Sequence, residues 1–85
     1  MNNDIKNFKK RLLYRSQYRG SKEMDKLIGS FVRDYIDNFN YNELEELETF
    51  LNIDDDILYK IYNNELDEKN LNKLKIINLF KSYKF

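Results

Sequence analysis

The sequence has no cysteine, histidine, proline, tryptophan or alanine, and its 85 residues include glycine only at Gly20 and Gly29. Without cysteine, no disulfide or thiolate–metal site can staple the fold. Without histidine, the commonest general base and the usual nitrogen ligand of zinc or iron are missing, which argues against a catalyst. Scarce breakers, with Leu, Lys and Glu plentiful, make helix the default conformation. Asparagine is abundant as well and is a mediocre helix former, so packing must supply what propensity does not. No apolar run approaches the roughly 20 residues that span a bilayer, so membrane insertion is not expected. What remains is a charged, aromatic-rich chain long enough for one domain, residues 1–85, with a thin core.

Formal net charge is zero, yet the charges are segregated. Residues 1–22 carry Lys6, Lys9, Lys10, Arg11, Arg15, Arg19 and Lys22 against Asp4 alone. Residues 34–68 hold twelve acids against Lys60, and residues 69–85 hold five lysines and no acid. Such a map either steers a partner or holds basic and acidic helices together. The start, Met1-Asn2-Asn3-Asp4, leads into a charged amphipathic segment with no apolar signal core. Its bases resemble those of a transit peptide, but Ile5, Phe8 and Leu12 read as core positions that a cleaved presequence would waste. A bacterial cytoplasmic protein is the plainer expectation.

Apolar spacing predicts an all-α chain, a compact five-helix bundle. The first helix runs from a capping Asp4 to about Tyr18, with Gly20 as its C-terminal stop. Ser21 caps a second helix with Met24, Leu27, Ile28, Phe31 and Tyr35 on one face, the clearest stripe in the chain. Asn40 or Asn42 caps a third, which buries Leu44, Leu47, Phe50 and Leu51 beneath an outer face of Glu43, Glu45, Glu46 and Glu48. Asp54-Asp55-Asp56 suits the positive end of a fourth helix, with Ile57, Leu58, Ile61 and Tyr62 as its apolar side and Asn63-Asn64 as its stop. A fifth starts between Asp67 and Asn70 and buries Leu71, Leu74, Ile77 and Phe80.

The acid triplet lacks the alternating ligands and the glycine of a calcium loop, so charge at a helix N-terminus accounts for it. The basic N-terminal segment, interleaved with Phe8, Tyr14 and Tyr18, has the composition of a nucleic-acid surface. The acidic middle opposes that, and a solvated or protein-facing basic surface is preferred. Tyr14, Tyr18, Tyr41, Tyr59 and Tyr83 fall off the apolar stripes, and exposed tyrosine is typical of protein interfaces. The turn Arg19-Gly20-Ser21-Lys22-Glu23 leaves Arg19 on an exposed corner beside a backbone that a partner can approach closely. Arginine there can grip a carboxylate or phosphate bidentately.

The run Arg11-Leu12-Leu13-Tyr14-Arg15-Ser16-Gln17-Tyr18-Arg19-Gly20-Ser21-Lys22-Glu23-Met24-Asp25, followed by Leu27, Ile28 and Phe31, resembles the succinate dehydrogenase assembly (flavinylation) factor family. The family's RGxxE motif corresponds to Arg19, Gly20 and Glu23. A second, weaker likeness runs from Phe50 to Tyr59, and Ile61 stands where relatives usually carry tryptophan. The resemblance implies a small helical assembly factor that is not an enzyme. Its partner would be the flavoprotein subunit of succinate dehydrogenase, or in some bacteria that of fumarate reductase, and it would promote covalent FAD attachment there. FAD would then belong to the client, and this chain would need no cofactor. Arg15, Tyr18, Arg19, Gly20, Glu23 and Asp25 would bind the partner, the Arg19–Gly20 turn bracing the client's FAD and dicarboxylate region while the basic first helix steers. Apart from the resemblance, a general helical adaptor and, less favoured, a basic nucleic-acid-binding module remain open.

Overall fold

Met24, Leu27, Ile28, Phe31 and Val32 recur at helical spacing, and in the computed structural model they are the buried face of one central helix. The structure describes residues 2–66 and 74–84. Along them run α1 (Asn2–Ser16), α2 (Lys22–Tyr35), a short 3₁₀ helix (Ile36–Asn38), α3 (Tyr41–Leu51), α4 (Asp55–Tyr62) and α5 (Lys75–Ser82). The chain is thus an all-α, five-helix bundle, with no strand among the described residues. The 3₁₀ turn after α2 has no counterpart in the sequence pattern.

Phe31 is the centre of the core. It is fully buried and packs its ring 5.3 Å from Tyr35, 5.6 Å from Phe50, 5.2 Å from Phe80 and 5.4 Å from Tyr83. One ring therefore joins α2 to α3, α5 and the residue after α5. Leu47, Leu51, Leu58, Ile61 and Ile77 belong to the same buried cluster, so Ile61 is a core residue.

Three helix ends depart from the sequence expectation. Asp4 does not cap α1 but lies within its first turn, where its charge meets the helix dipole. At the other end α1 closes at Ser16, four residues short of Gly20. The Gln17 N–H donates to the Tyr14 carbonyl, and the buried Ser16 hydroxyl donates to the Leu13 carbonyl at 2.6 Å. Such tightened bonds finish the last turn without a glycine. The fifth helix begins at Lys75, with Leu74 half-buried just before it, rather than between Asp67 and Asn70. Leu71 lies outside the described residues. The start is set by α3: Glu43 pairs with Lys75 at 2.9 Å, and Glu46 accepts from the Ile76 N–H at 3.4 Å. These two glutamates are accordingly half-buried, leaving Glu45 and Glu48 as the solvent-facing acids.

Asn40 is the cap of α3, in a reciprocal box: its side chain accepts from the Glu43 N–H at 2.9 Å, and Glu43 accepts from the Asn40 N–H at 2.8 Å. The Asn40 N–H, and then Lys75, hold the Glu43 carboxyl below its ordinary range. Asn40→Ala is expected to cost about 1 kcal/mol, read as a lower urea midpoint with an unchanged slope.

Tyr83 is buried, unlike the other tyrosines off the stripes: its ring packs on Phe31 and Tyr35, and its hydroxyl donates to the exposed Asp34 at 2.6 Å. Burial first, and then Asp34, push its pKa from 10 up to about 12. A raised pKa favours the neutral phenol in the fold. Its contribution is therefore complete below pH 10, the unfolded value, and lost as pH rises through 12. Stability is expected to fall between those values more steeply in the parent than in Tyr83→Phe, as measured by thermal midpoints across that range.

Candidate functional site

The segment between α1 and α2 is built by its own sequence. Ser21 adopts extended backbone and accepts from the Met24 N–H at 3.2 Å, which caps α2 and places Glu23 and Asp25 in its first turn. Asp25 turns back to accept the backbone N–H of Arg19 at 2.5 Å. Between them Gly20 has φ +142°, a conformation that costs a residue with a β-carbon about 1–3 kcal/mol. Glycine is thus required by the turn rather than as the end of α1.

Arg19 is not on an exposed corner. Its side chain is only 9% exposed and reaches inward across the loop between α3 and α4. Nε donates to Asp55 at 2.7 Å, one terminal nitrogen donates to the Leu51 carbonyl at 2.6 Å, and the other to the Ile53 carbonyl at 2.7 Å. The planar fork suits this because each nitrogen meets an acceptor in a fixed direction. Nearby, Arg15 donates to the Asn52 side chain at 2.5 Å. Two arginines of the basic segment thus fasten the turn to the α3–α4 loop. The charge segregation seen in the sequence here holds basic and acidic elements together.

What the turn offers to solvent is different. Tyr18 is 68% exposed, and its ring packs at a tilt, 4.7 Å between centroids, against that of Tyr14, which is 66% exposed. Gly20, Ser21, Lys22 and Glu23 are exposed, and the Glu23 side chain makes no hydrogen bond or ion pair with any described residue. A groove of about 360 Å³ separates Ser21, Glu23 and Met24 from Asp55, Asp56 and Tyr59. A second depression, about 470 Å³, follows Tyr18 to Lys22 and Asp25. Both are open and shallow. No three His, Cys, Asp or Glu side chains among the described residues are grouped as metal ligands.

Of the residues singled out from the sequence, the structure gathers Arg15, Tyr18, Arg19, Gly20, Glu23 and Asp25 at one end of the bundle but divides them. Tyr18, Gly20 and Glu23 face outward; Arg15, Arg19 and Asp25 make the bonds that hold the turn. Sequence reasoning missed Asp55, Asn52 and the two loop carbonyls. Its one available signal was the acid triplet, which the helix dipole explained too readily.

Comparison with known proteins bears on this surface. The yeast Saccharomyces cerevisiae has a "succinate dehydrogenase assembly factor 2, mitochondrial" that is 44% identical over 50 residues, covering 58% of this chain and 31% of its own length. The protein of the same name from Aspergillus flavus is 39% identical over 57 residues, 66% of this chain and 20% of its own. Assembly factor 2-B of Drosophila ananassae is 41% identical over 44 residues, 52% of this chain and 27% of its own. The chain therefore spans between a fifth and a third of these relatives. They are named mitochondrial, whereas the sequence alone led to a bacterial cytoplasm. No helix among the described residues is long and apolar enough to cross a membrane. No solved structure matches the chain. A family profile described as the flavinator of succinate dehydrogenase matches residues 10–84, turn and bundle alike, and the chain belongs to that family.

Proposed function

We propose that this chain is an assembly factor that binds the flavoprotein subunit of succinate dehydrogenase and promotes covalent attachment of FAD to it, without being an enzyme itself. The family match over residues 10–84 carries the reading. The geometry supports a way of acting. In the family that the sequence resembles, FAD is attached to a histidine of the client, and this chain has no histidine to offer, so the reacting atoms and FAD are assigned here to the partner. What this chain can supply is a preset surface. Arg19, Asp25 and Asp55 hold the Gly20–Glu23 turn in place, and an ordered turn pressed against the partner restrains flavin and target side chain in a reactive arrangement. Gly20 permits close backbone approach, and Glu23 presents a carboxylate that has no partner among the described residues.

Copurification tests this. The tagged chain is expected to retain the succinate dehydrogenase flavoprotein subunit. Glu23→Ala and Tyr18→Ala, both at exposed positions, are each expected to weaken retention about tenfold while thermal midpoints stay put. No retention by the unaltered chain contradicts the function, and full retention by both variants contradicts the role given to the turn.

A further inference from the structure

The structure sorts the basic residues of the N-terminal segment, and the sorting leaves a second surface. Arg15 and Arg19 are spent on the α3–α4 loop, and Lys9 donates to the Asp37 carbonyl at 3.1 Å. Lys6 and Lys10 are exposed, and their side chains make no hydrogen bond or ion pair with any described residue. Four-residue spacing puts Lys6, Lys10 and Tyr14 on one line along α1, and the tilted ring contact between Tyr14 and Tyr18 carries that line to the Gly20 turn. Neighbouring tyrosines this exposed, flanked by uncommitted ammonium groups, are a dry anchor beside a charged rim, the layout of a protein-binding surface.

From this we infer that the outer face of α1 is a docking strip for an acidic surface of the same flavoprotein subunit that meets the turn, with Tyr14 and Tyr18 as its anchor and Lys6 and Lys10 as its charge complement. The inference rests on the function proposed above and adds which part of α1 makes contact, and with what chemistry. Continuity with the turn favours one partner touching both. A lipid surface fits less well. A helix lying in a membrane must free its apolar face, and that of α1, Phe8 and Leu12, is buried in the bundle.

The test measures affinity of the full chain for the purified flavoprotein subunit at two salt concentrations. Lys6→Glu with Lys10→Glu is expected to lower affinity about tenfold at low salt, and the gap is expected to shrink at high salt as screening removes the charge term. Tyr14→Ala is expected to lower affinity about tenfold at both, because an aromatic anchor is not screened. All variants should keep the parent thermal midpoint. If the unaltered chain does not bind the subunit, the proposed function fails and the strip with it. If the chain binds and these variants bind equally well, the strip alone is overturned. Salt-sensitive binding of the parent, but not of the Lys6/Lys10 variant, to phosphatidylserine vesicles or to duplex DNA, with subunit affinity unchanged, would also overturn it and assign the lysines to that ligand.

Discussion

Arg19→Ala is expected to lower the unfolding free energy by roughly 2–4 kcal/mol and to abolish support of the flavoprotein at the same time. As an exposed corner residue, Arg19 would have cost no more than about 0.5 kcal/mol. The difference follows from its partners. Truncation strands the Asp55 carboxylate and the carbonyls of Leu51 and Ile53 together, and the turn loses its attachment to the α3–α4 loop. Asp55 keeps some access to water, which places the loss below that of a fully buried pair. Arg19→Lys should recover only part, since an ammonium on a flexible stem cannot meet three acceptors in the directions of the fork. Urea denaturation of the two variants beside the parent checks the ordering. An Arg19→Ala protein of parent stability that fails only in partner binding would make Arg19 a contact residue instead.

The second large effect is in the core. Phe31→Ala should cost about 3–5 kcal/mol, because the removed ring touches four others and α2 cannot move inward to fill the space without disturbing three helices. Native domains hold only about 5–15 kcal/mol, and one this small sits low in that range. The variant is therefore expected to be substantially unfolded near body temperature, visible as lost helical circular dichroism on mild warming. A loss of less than about 1 kcal/mol in unfolding free energy, from urea denaturation, would mean that Phe31 is not the keystone of the bundle.

Much of this fold was legible because helical periodicity is local. The stripe from Met24 to Phe31, the Ser21 and Asn40 caps, and the Asn63-Asn64 stop, where Asn64 adopts positive φ, are written in neighbouring residues. The start of α5 was misplaced because it depends on Glu43 and Glu46, some thirty positions earlier. The site failed in the same way. Ser21 and Gly20 announce a turn, but nothing near Arg19 says that its guanidinium will find Asp55 and two carbonyls across the bundle. An arginine next to a glycine looks exposed until the tertiary partner is known. The tyrosines divide likewise: Tyr14, Tyr18, Tyr41 and Tyr59 are as exposed as their positions off the stripes suggested, while Tyr83 is buried against the distant Phe31 and Tyr35.

The central claim, that this chain presents a preset turn which enables a partner to acquire covalent flavin, is tested most directly by co-expression. The succinate dehydrogenase flavoprotein subunit is produced with no assembly factor, with this chain, or with its Glu23→Ala variant, and covalent flavin is read as in-gel fluorescence of the denatured subunit. The account predicts strong fluorescence with the parent chain and fluorescence near the background level with the variant, at equal subunit abundance. Equal covalent flavin in all three lanes would contradict it.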